Sequence, residues 1–144
     1  MADLRGQALK LLARRDYSRA ELRSRLLPQA ESTAVLEGEL DRLQAAGLLS
    51  DARYATQRVA VRGLRYGDAR LRQELRQRGV SDVDIATALP EAGDERVRCQ
   101  QVWSRKFGQL PDSASEWARQ MRFLQYRGFS SDAIRRVLCG VDDE

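Results

Sequence analysis

Apolar residues recur three and four positions apart in short runs along the whole chain, and no stretch alternates with period two over a useful length. The pattern predicts helices throughout. The first, about residues 5–14, sets Ala8, Leu9, Leu11 and Leu12 on one side. The second opens after Ser18, carries Leu22, Leu26 and Leu27, and stops at Pro28. A third near residues 32–46 shows Val35, Leu36, Leu40 and Leu43, and a fourth over about 51–62 shows Tyr54, Ala55 and Val59. Gly63 and Gly67 bracket a connector to a fifth helix with Leu71 and Leu75. Residues 81–89 form a short sixth helix with Val83, Ile85, Ala86 and Leu89, closed by Pro90. After a loop at 91–94, a seventh helix carries Val97, Cys99, Val102, Trp103 and Phe107 and ends at Gly108. Trp117, Met121, Phe123 and Leu124 face inward on an eighth, and Ile134, Val137 and Leu138 on a ninth over 130–139.

The helices meet at one recurring phrase: Leu, then Gly or Asp four residues on, an apolar residue, Ser, and an apolar residue four after the Ser. Its copies are Leu12/Asp16/Tyr17/Ser18/Leu22, Leu43/Gly47/Leu48/Ser50/Tyr54, Leu75/Gly79/Val80/Ser81/Ile85 and Leu124/Gly128/Phe129/Ser130/Ile134. Gly takes the left-handed conformation that closes a helix, and Asp takes it less readily. The Ser oxygen accepts the orphan N–H groups of the next helix. Ser18, Ser81, Ser113 and Ser130 are expected N-caps, with capping boxes at Ser18/Glu21 and Ser113/Glu116. Gly47, Gly79 and Gly128 are expected at positive φ. The fold class that follows is all-α, three tandem three-helix repeats (1–49, 50–91 and 92–144) stacked as an elongated, curved array.

Composition narrows the chemistry. With no His, the chain has no imidazole base, no Ser-His-Asp triad and no His-ligated metal. There is no phosphate-cradling Gly-rich loop ending in Gly-Lys-Ser/Thr. Carboxylates such as Glu37/Asp41 and Asp82/Asp84 sit among surface-type residues, as solvated faces or helix first-turn partners do. No enzyme, cofactor or metal is implied. No run is long and apolar enough for a membrane span, and the charged N-terminus does not resemble a secretory signal. Cys99 and Cys139 are expected to be reduced thiols packed as small hydrophobes in a cytoplasmic monomer.

Charge is informative by position. The net of +4 rests on 23 Arg and two Lys. Residues 1–52 are neutral, while residues 53–78 hold eight Arg against Asp68 and Glu74, a net of +6. Residues 79–95 reverse to −5, residues 96–136 return to +6, and an acidic tail at 141–144 closes the chain at −3. Two basic blocks about an acidic hinge form a field for a polyanion or an acidic protein surface. The alternative is a solvated Arg-rich surface.

Three stretches resemble the bacterial RecX family of regulatory proteins. They are Leu48-Leu49-Ser50-Asp51-Ala52-Arg53-Tyr54-Ala55 with Gly67, Arg70, Leu71 and Glu74-Leu75-Arg76-Gln77-Arg78-Gly79-Val80; the opening Leu12-Ala13-Arg14-Arg15-Asp16-Tyr17-Ser18; and the ending Arg122-Phe123-Leu124-Gln125-Tyr126-Arg127-Gly128-Phe129-Ser130. They fall in order over nearly the whole chain. The chain departs from the family at Asp16-Tyr17, where Pro or a basic residue often precedes the Ser, and at Asp68-Ala69, where Pro often follows the Gly. The resemblance implies three tandem three-helix repeats. It also implies a protein that lodges in the groove of RecA–DNA filaments, modulates recombination in DNA repair and the SOS response, and has weak or indirect affinity for the DNA phosphate backbone.

The working surface expected from the basic blocks is Arg62, Arg65, Arg70, Arg72 and Arg76 on one side with Arg119, Arg122 and Arg127, and the 63–67 connector placed where its backbone approaches a partner. An independent, sequence-nonspecific DNA-binding repeat protein is the competing reading. Gln73 and Gln77 come nearest to base-reading residues, and binding would rest on phosphates. A scaffold for another acidic partner is the third.

Overall fold

The computed structural model describes residues 3–140, and all regular structure among them is helical. The α-helices are α1 (Leu4–Arg14), α2 (Arg19–Leu26), α3 (Thr33–Ala45), α4 (Asp51–Arg62), α5 (Asp68–Gln77), α6 (Asp82–Ala88), α7 (Glu95–Lys106), α8 (Ala114–Tyr126) and α9 (Ser131–Leu138). Short 3-10 segments at Leu27–Gln29 and Leu89–Ala92 begin just before Pro28 and Pro90 and finish α2 and α6. The second of these occupies part of the stretch expected to be a loop. The acidic tail lies outside the described residues.

The junction phrase works as its residues dictate. Gly47, Gly79 and Gly128 have φ of 76°, 81° and 91°. At each, the next N–H reaches back five residues, from Leu48 to the Leu43 carbonyl (3.0 Å), Val80 to Leu75 (3.0 Å) and Phe129 to Leu124 (3.2 Å). That is the closing bond of a Schellman turn. The Ser oxygens then accept from the new helices: Ser18 from Glu21 N–H, Ser50 from Arg53, Ser81 from Asp84, Ser113 from Glu116 and Ser130 from Ala133, at 3.1–3.2 Å.

Three expectations at these ends are corrected. No non-glycine residue has positive φ among the described residues, so Asp16 does not close α1 in the left-handed form. The chain instead leaves through an extended Arg15 (φ −165°), and the Asp16 carboxylate is gripped by Arg53 at 2.9–3.1 Å. Ser18 and Glu21 form the full capping box, but Glu116 turns to Arg119 and Gln120 and leaves the Ser113 cap one-sided. Leu27, Val35, Val83 and Val97 point outward, because the buried stripe is narrower than their apolar character suggests.

The structure resolves into two compact units: Met1–Gln57 with Leu75–Thr87, and Arg58–Glu74 with Ala88–Glu144. The first is centred on Ala8, Tyr17, Leu22, Leu26, Leu36, Leu40, Leu43 and Leu49. Its polar tie is Ser18, fully buried, whose hydroxyl donates to the Arg78 carbonyl at 2.7 Å. The second packs Cys99, Val102, Trp103, Leu124, Phe129, Ile134, Val137 and Leu138 together. Inside it, Trp103 Nε1 donates to Gln120 Oε1 at 2.8 Å, which satisfies two buried polar groups at once. Burial pushes the Cys99 thiol up to about 12, with Glu95 adding to the shift. Cys139 is exposed, contrary to the expected packing, because it caps α9 on the outward side.

Candidate functional site

The second unit holds seven of the eight arginines expected to form the working surface; Arg76 belongs to the first, where its Nε meets Asp82 at 3.0 Å. The connector Gly63-Leu64-Arg65-Tyr66-Gly67 does not offer its backbone to a partner. It is seated against its own chain. A Cβ at Gly63 would stand 2.6 Å from the Val59 oxygen and 2.7 Å from the Ala92 methyl, and one at Gly67 would stand 2.5 Å from Phe129 Cα. Gly67 N–H donates to the Arg127 carbonyl at 2.8 Å and Ala69 N–H to that of Gly128 at 3.2 Å, so the connector is fastened to the α8–α9 turn.

The expected arginines divide by what they touch. Arg62 forms a two-bond pair with Glu74 (Nε–Oε2 2.9 Å), which raises the guanidinium pKa. Burial alone would raise the Glu74 carboxyl; the Arg62 bond and charge outweigh it and hold the carboxyl below its usual range. Arg70 lies 4.0 Å from the same carboxylate and donates to the Tyr126 carbonyl at 3.2 Å. Arg119 is engaged by Glu116 through Nε (3.1 Å) and Nη2 (2.9 Å). Arg62 and Arg119 are thus charge-compensated in place, and Arg70 shares the Glu74 charge with Arg62. Arg65, Arg72, Arg122 and Arg127 have no carboxylate partner among the described residues.

Two of those four meet in one groove of about 290 Å³. Arg65 comes from the connector, Arg127 from the end of α8, and Arg105 and Lys106 from the end of α7. No carboxylate lines the groove; its remaining walls are Leu64, Tyr66, Val102 and Phe123. Arg127 is held in place, its Nη1 donating to the Arg65 carbonyl at 3.3 Å and its guanidinium about 5 Å from both the Tyr66 (5.2 Å) and Phe123 (5.0 Å) ring centres. Lys106 lies 5.4 Å from the Phe123 centre. Cations over ring faces keep their charge while losing rotamer freedom. The groove can therefore receive an anion without first breaking an ion pair.

Sequence reasoning missed Arg105 and Lys106, which occupy the last turn of α7 among unremarkable polar residues. It also missed Arg98, 3 % exposed, whose guanidinium reaches the connector. The available signal was register, since Arg98 falls on the stripe of Cys99, Val102 and Trp103. Tyr126 is 80 % exposed and lies outside the core. Among the described residues no group of three His, Cys, Asp or Glu side chains is placed to hold a metal ion, and no helix is long and apolar enough to cross a membrane.

Comparison with known proteins places this architecture. Residues 50–89 match the second three-helix domain of RecX and residues 94–138 the third. Regulatory protein RecX of Leptothrix cholodnii is 49 % identical over 142 residues, covering 98 % of this chain and 90 % of that protein. That of Chromobacterium violaceum is 45 % identical over 141 residues, covering 98 % and 92 %. Two crystal structures share the fold: a regulatory protein RecX (TM-score 0.75, 23 % identity, 94 % of this chain and 73 % of that one) and RecX from Lactobacillus salivarius (TM-score 0.76, 18 % identity, 96 % and 94 %). The chain belongs to the RecX family of regulatory proteins.

Proposed function

We propose that this chain is a non-catalytic regulator that binds RecA–DNA filaments in the cytoplasm and damps recombinase activity, with its effect felt in DNA repair and the SOS response. It acts as a monomer of three tandem three-helix repeats, 1–49, 50–91 and 92–144. The observation that carries the binding surface is the gathering of Arg65, Arg105, Lys106 and Arg127 in one groove without a carboxylate. Arg72 and Arg122 add unpaired charge to the same unit, while Arg62, Arg70 and Arg119 there, and Arg76 in the first unit, contribute less because acids already engage them. A filament that carries DNA offers phosphates and acidic side chains together, and guanidinium forks suit both.

Inhibition of DNA-dependent ATP hydrolysis by RecA tests the reading. The triple variant Arg65→Gln/Arg105→Gln/Arg127→Gln should keep its helical circular dichroism and inhibit more weakly than the parent. The difference should be larger at low salt, and the log–log salt slope should fall by roughly one unit per phosphate-contacting cation removed. Equal inhibition by parent and variant across salt concentrations would show that another surface meets the filament. Binding to DNA but not to the recombinase-coated strand would favour the independent DNA-binding reading.

A further inference from the structure

Three segments line the cationic groove, and one buried side chain joins two of them, the connector and α7. The connector supplies Leu64 and Arg65, and α7 supplies Val102, Arg105 and Lys106. Arg98, on α7, donates from Nη1 to the carbonyls of Gly63 (3.3 Å) and Tyr66 (2.7 Å), the two residues that flank Leu64 and Arg65. Its Nη2 pairs with Asp68 at the start of α5, and its Nε donates to the Gly93 carbonyl at 3.2 Å. We infer that Arg98 is a positioning residue that sets the separation of the connector and α7, and so places Arg65 relative to Arg105 and Lys106 for anion binding. The inference rests on that groove being the binding surface.

Three features argue for this role. Arg98 does not itself line the groove, since Arg105 lies seven residues further along the same helix, about 10 Å of rise. The site is built for a fork: three carbonyl oxygens and a carboxylate approach from different directions, which a planar guanidinium serves and a compact ammonium does not. A buried charge is also costly unless fully paired, so packing alone would be met as well by an aliphatic residue.

A binding cycle separates positioning from mere stability. The proteins are the parent, Arg98→Lys, Arg65→Gln/Arg127→Gln and the combined triple variant. The probes are a fluorescein-labelled single-stranded oligonucleotide, bare and coated with recombinase, read by anisotropy. Arg98→Lys should keep the helical spectrum and weaken binding roughly three- to tenfold, as coupled neighbours do. In the Arg65→Gln/Arg127→Gln background the same change should have an effect of less than about twofold, because the group being positioned is gone. Losses that multiply across the two backgrounds would overturn the inference. If Arg98→Lys fails to fold, Asp68→Asn, which keeps the carbonyl contacts, enters the same cycle under the same criterion. A weakened Arg65→Gln/Arg127→Gln beside an unaffected Arg98→Lys sinks this inference alone; parent-like binding by Arg65→Gln/Arg127→Gln sinks the groove reading with it.

Discussion

Replacing glycines one at a time with alanine separates two reasons for a glycine to be present. Gly47 has φ +76° and open space around its missing Cβ. Alanine there meets only the left-handed backbone penalty, about 1–2 kcal/mol. Gly67 is the converse case. Its backbone is not in the left-handed region, but an added Cβ would collide with the Gly128 carbonyl group and stand 2.5 Å from Phe129 Cα. All of these are backbone atoms that no rotamer change can move. The connector must back away, which strains packing by about 1–3 kcal/mol. It also weakens the Gly67–Arg127 and Ala69–Gly128 hydrogen bonds, about 1 kcal/mol each.

Gly67→Ala should therefore cost about 3–5 kcal/mol, roughly two to three times as much as Gly47→Ala. Thermal unfolding followed by circular dichroism should show a drop of about 10 °C for Gly67→Ala and clearly less for Gly47→Ala. Because the displaced segment bears Arg65, Gly67→Ala should also weaken filament binding below its unfolding temperature, and Gly47→Ala should not. Equal shifts for the two variants would refute the view that the connector is fastened to the α8–α9 turn.

Two further measurements probe the junctions and the charge network. Ser18→Ala removes a buried hydroxyl that caps α2 and also donates to the Arg78 carbonyl, and should cost about 2 kcal/mol in urea unfolding, whereas Ser113→Ala, an exposed one-sided cap, should cost about 0.5–1 kcal/mol; a reversed order would mean that the Arg78 bond contributes nothing. The bonds from Arg23 and Arg19 hold the Glu37 carboxyl at about 2, below its ordinary 4.5. A depressed carboxylate stabilises the fold above its unfolded pKa and loses that contribution as pH falls, so the urea midpoint should decline between pH 4.5 and about 2, and Glu37→Gln should show a shallower decline. Parallel curves would place the acid sensitivity elsewhere.

The junctions were legible because each depends on local chemistry that a short phrase encodes. A glycine at Gly47, Gly79 or Gly128 and a serine three or fewer residues on specify a closing turn and a cap almost regardless of what lies beyond. The helices were legible for the same reason, through the spacing of residues such as Leu36, Leu40 and Leu43. The groove was not. Arg65, Arg105, Lys106 and Arg127 are brought together by the docking of the connector on the α8–α9 turn, a contact across 60 residues through Gly67 and Arg127 that no local pattern announces. Arg98 was hidden by its type, because a charged residue on a buried stripe violates the rule used to find the stripe.

Segment charge failed for a more general reason. Counting residues 1–52 as neutral assumes that each acid serves a base nearby in sequence, yet Asp16 is held by Arg53 and Glu21 by Arg78, both from the strongly basic segment. Those two arginines are thereby compensated, and the count of +6 over 53–78 overstates the free charge there. The acids they take are lost to the first segment. Lys10, Arg14 and Arg25 have no carboxylate partner among the described residues and line one groove beside Leu11 and Leu26. A nominally neutral stretch thus presents cations, and a nominally basic one presents fewer than it contains. At ion-pair distances the pairing outweighs the segment total, because opposite charges about 3 Å apart cancel within a few ångströms while screening removes what remains beyond about 10 Å. The surface available to a polyanion, as proposed above, would therefore be set by which arginines the fold leaves unpaired.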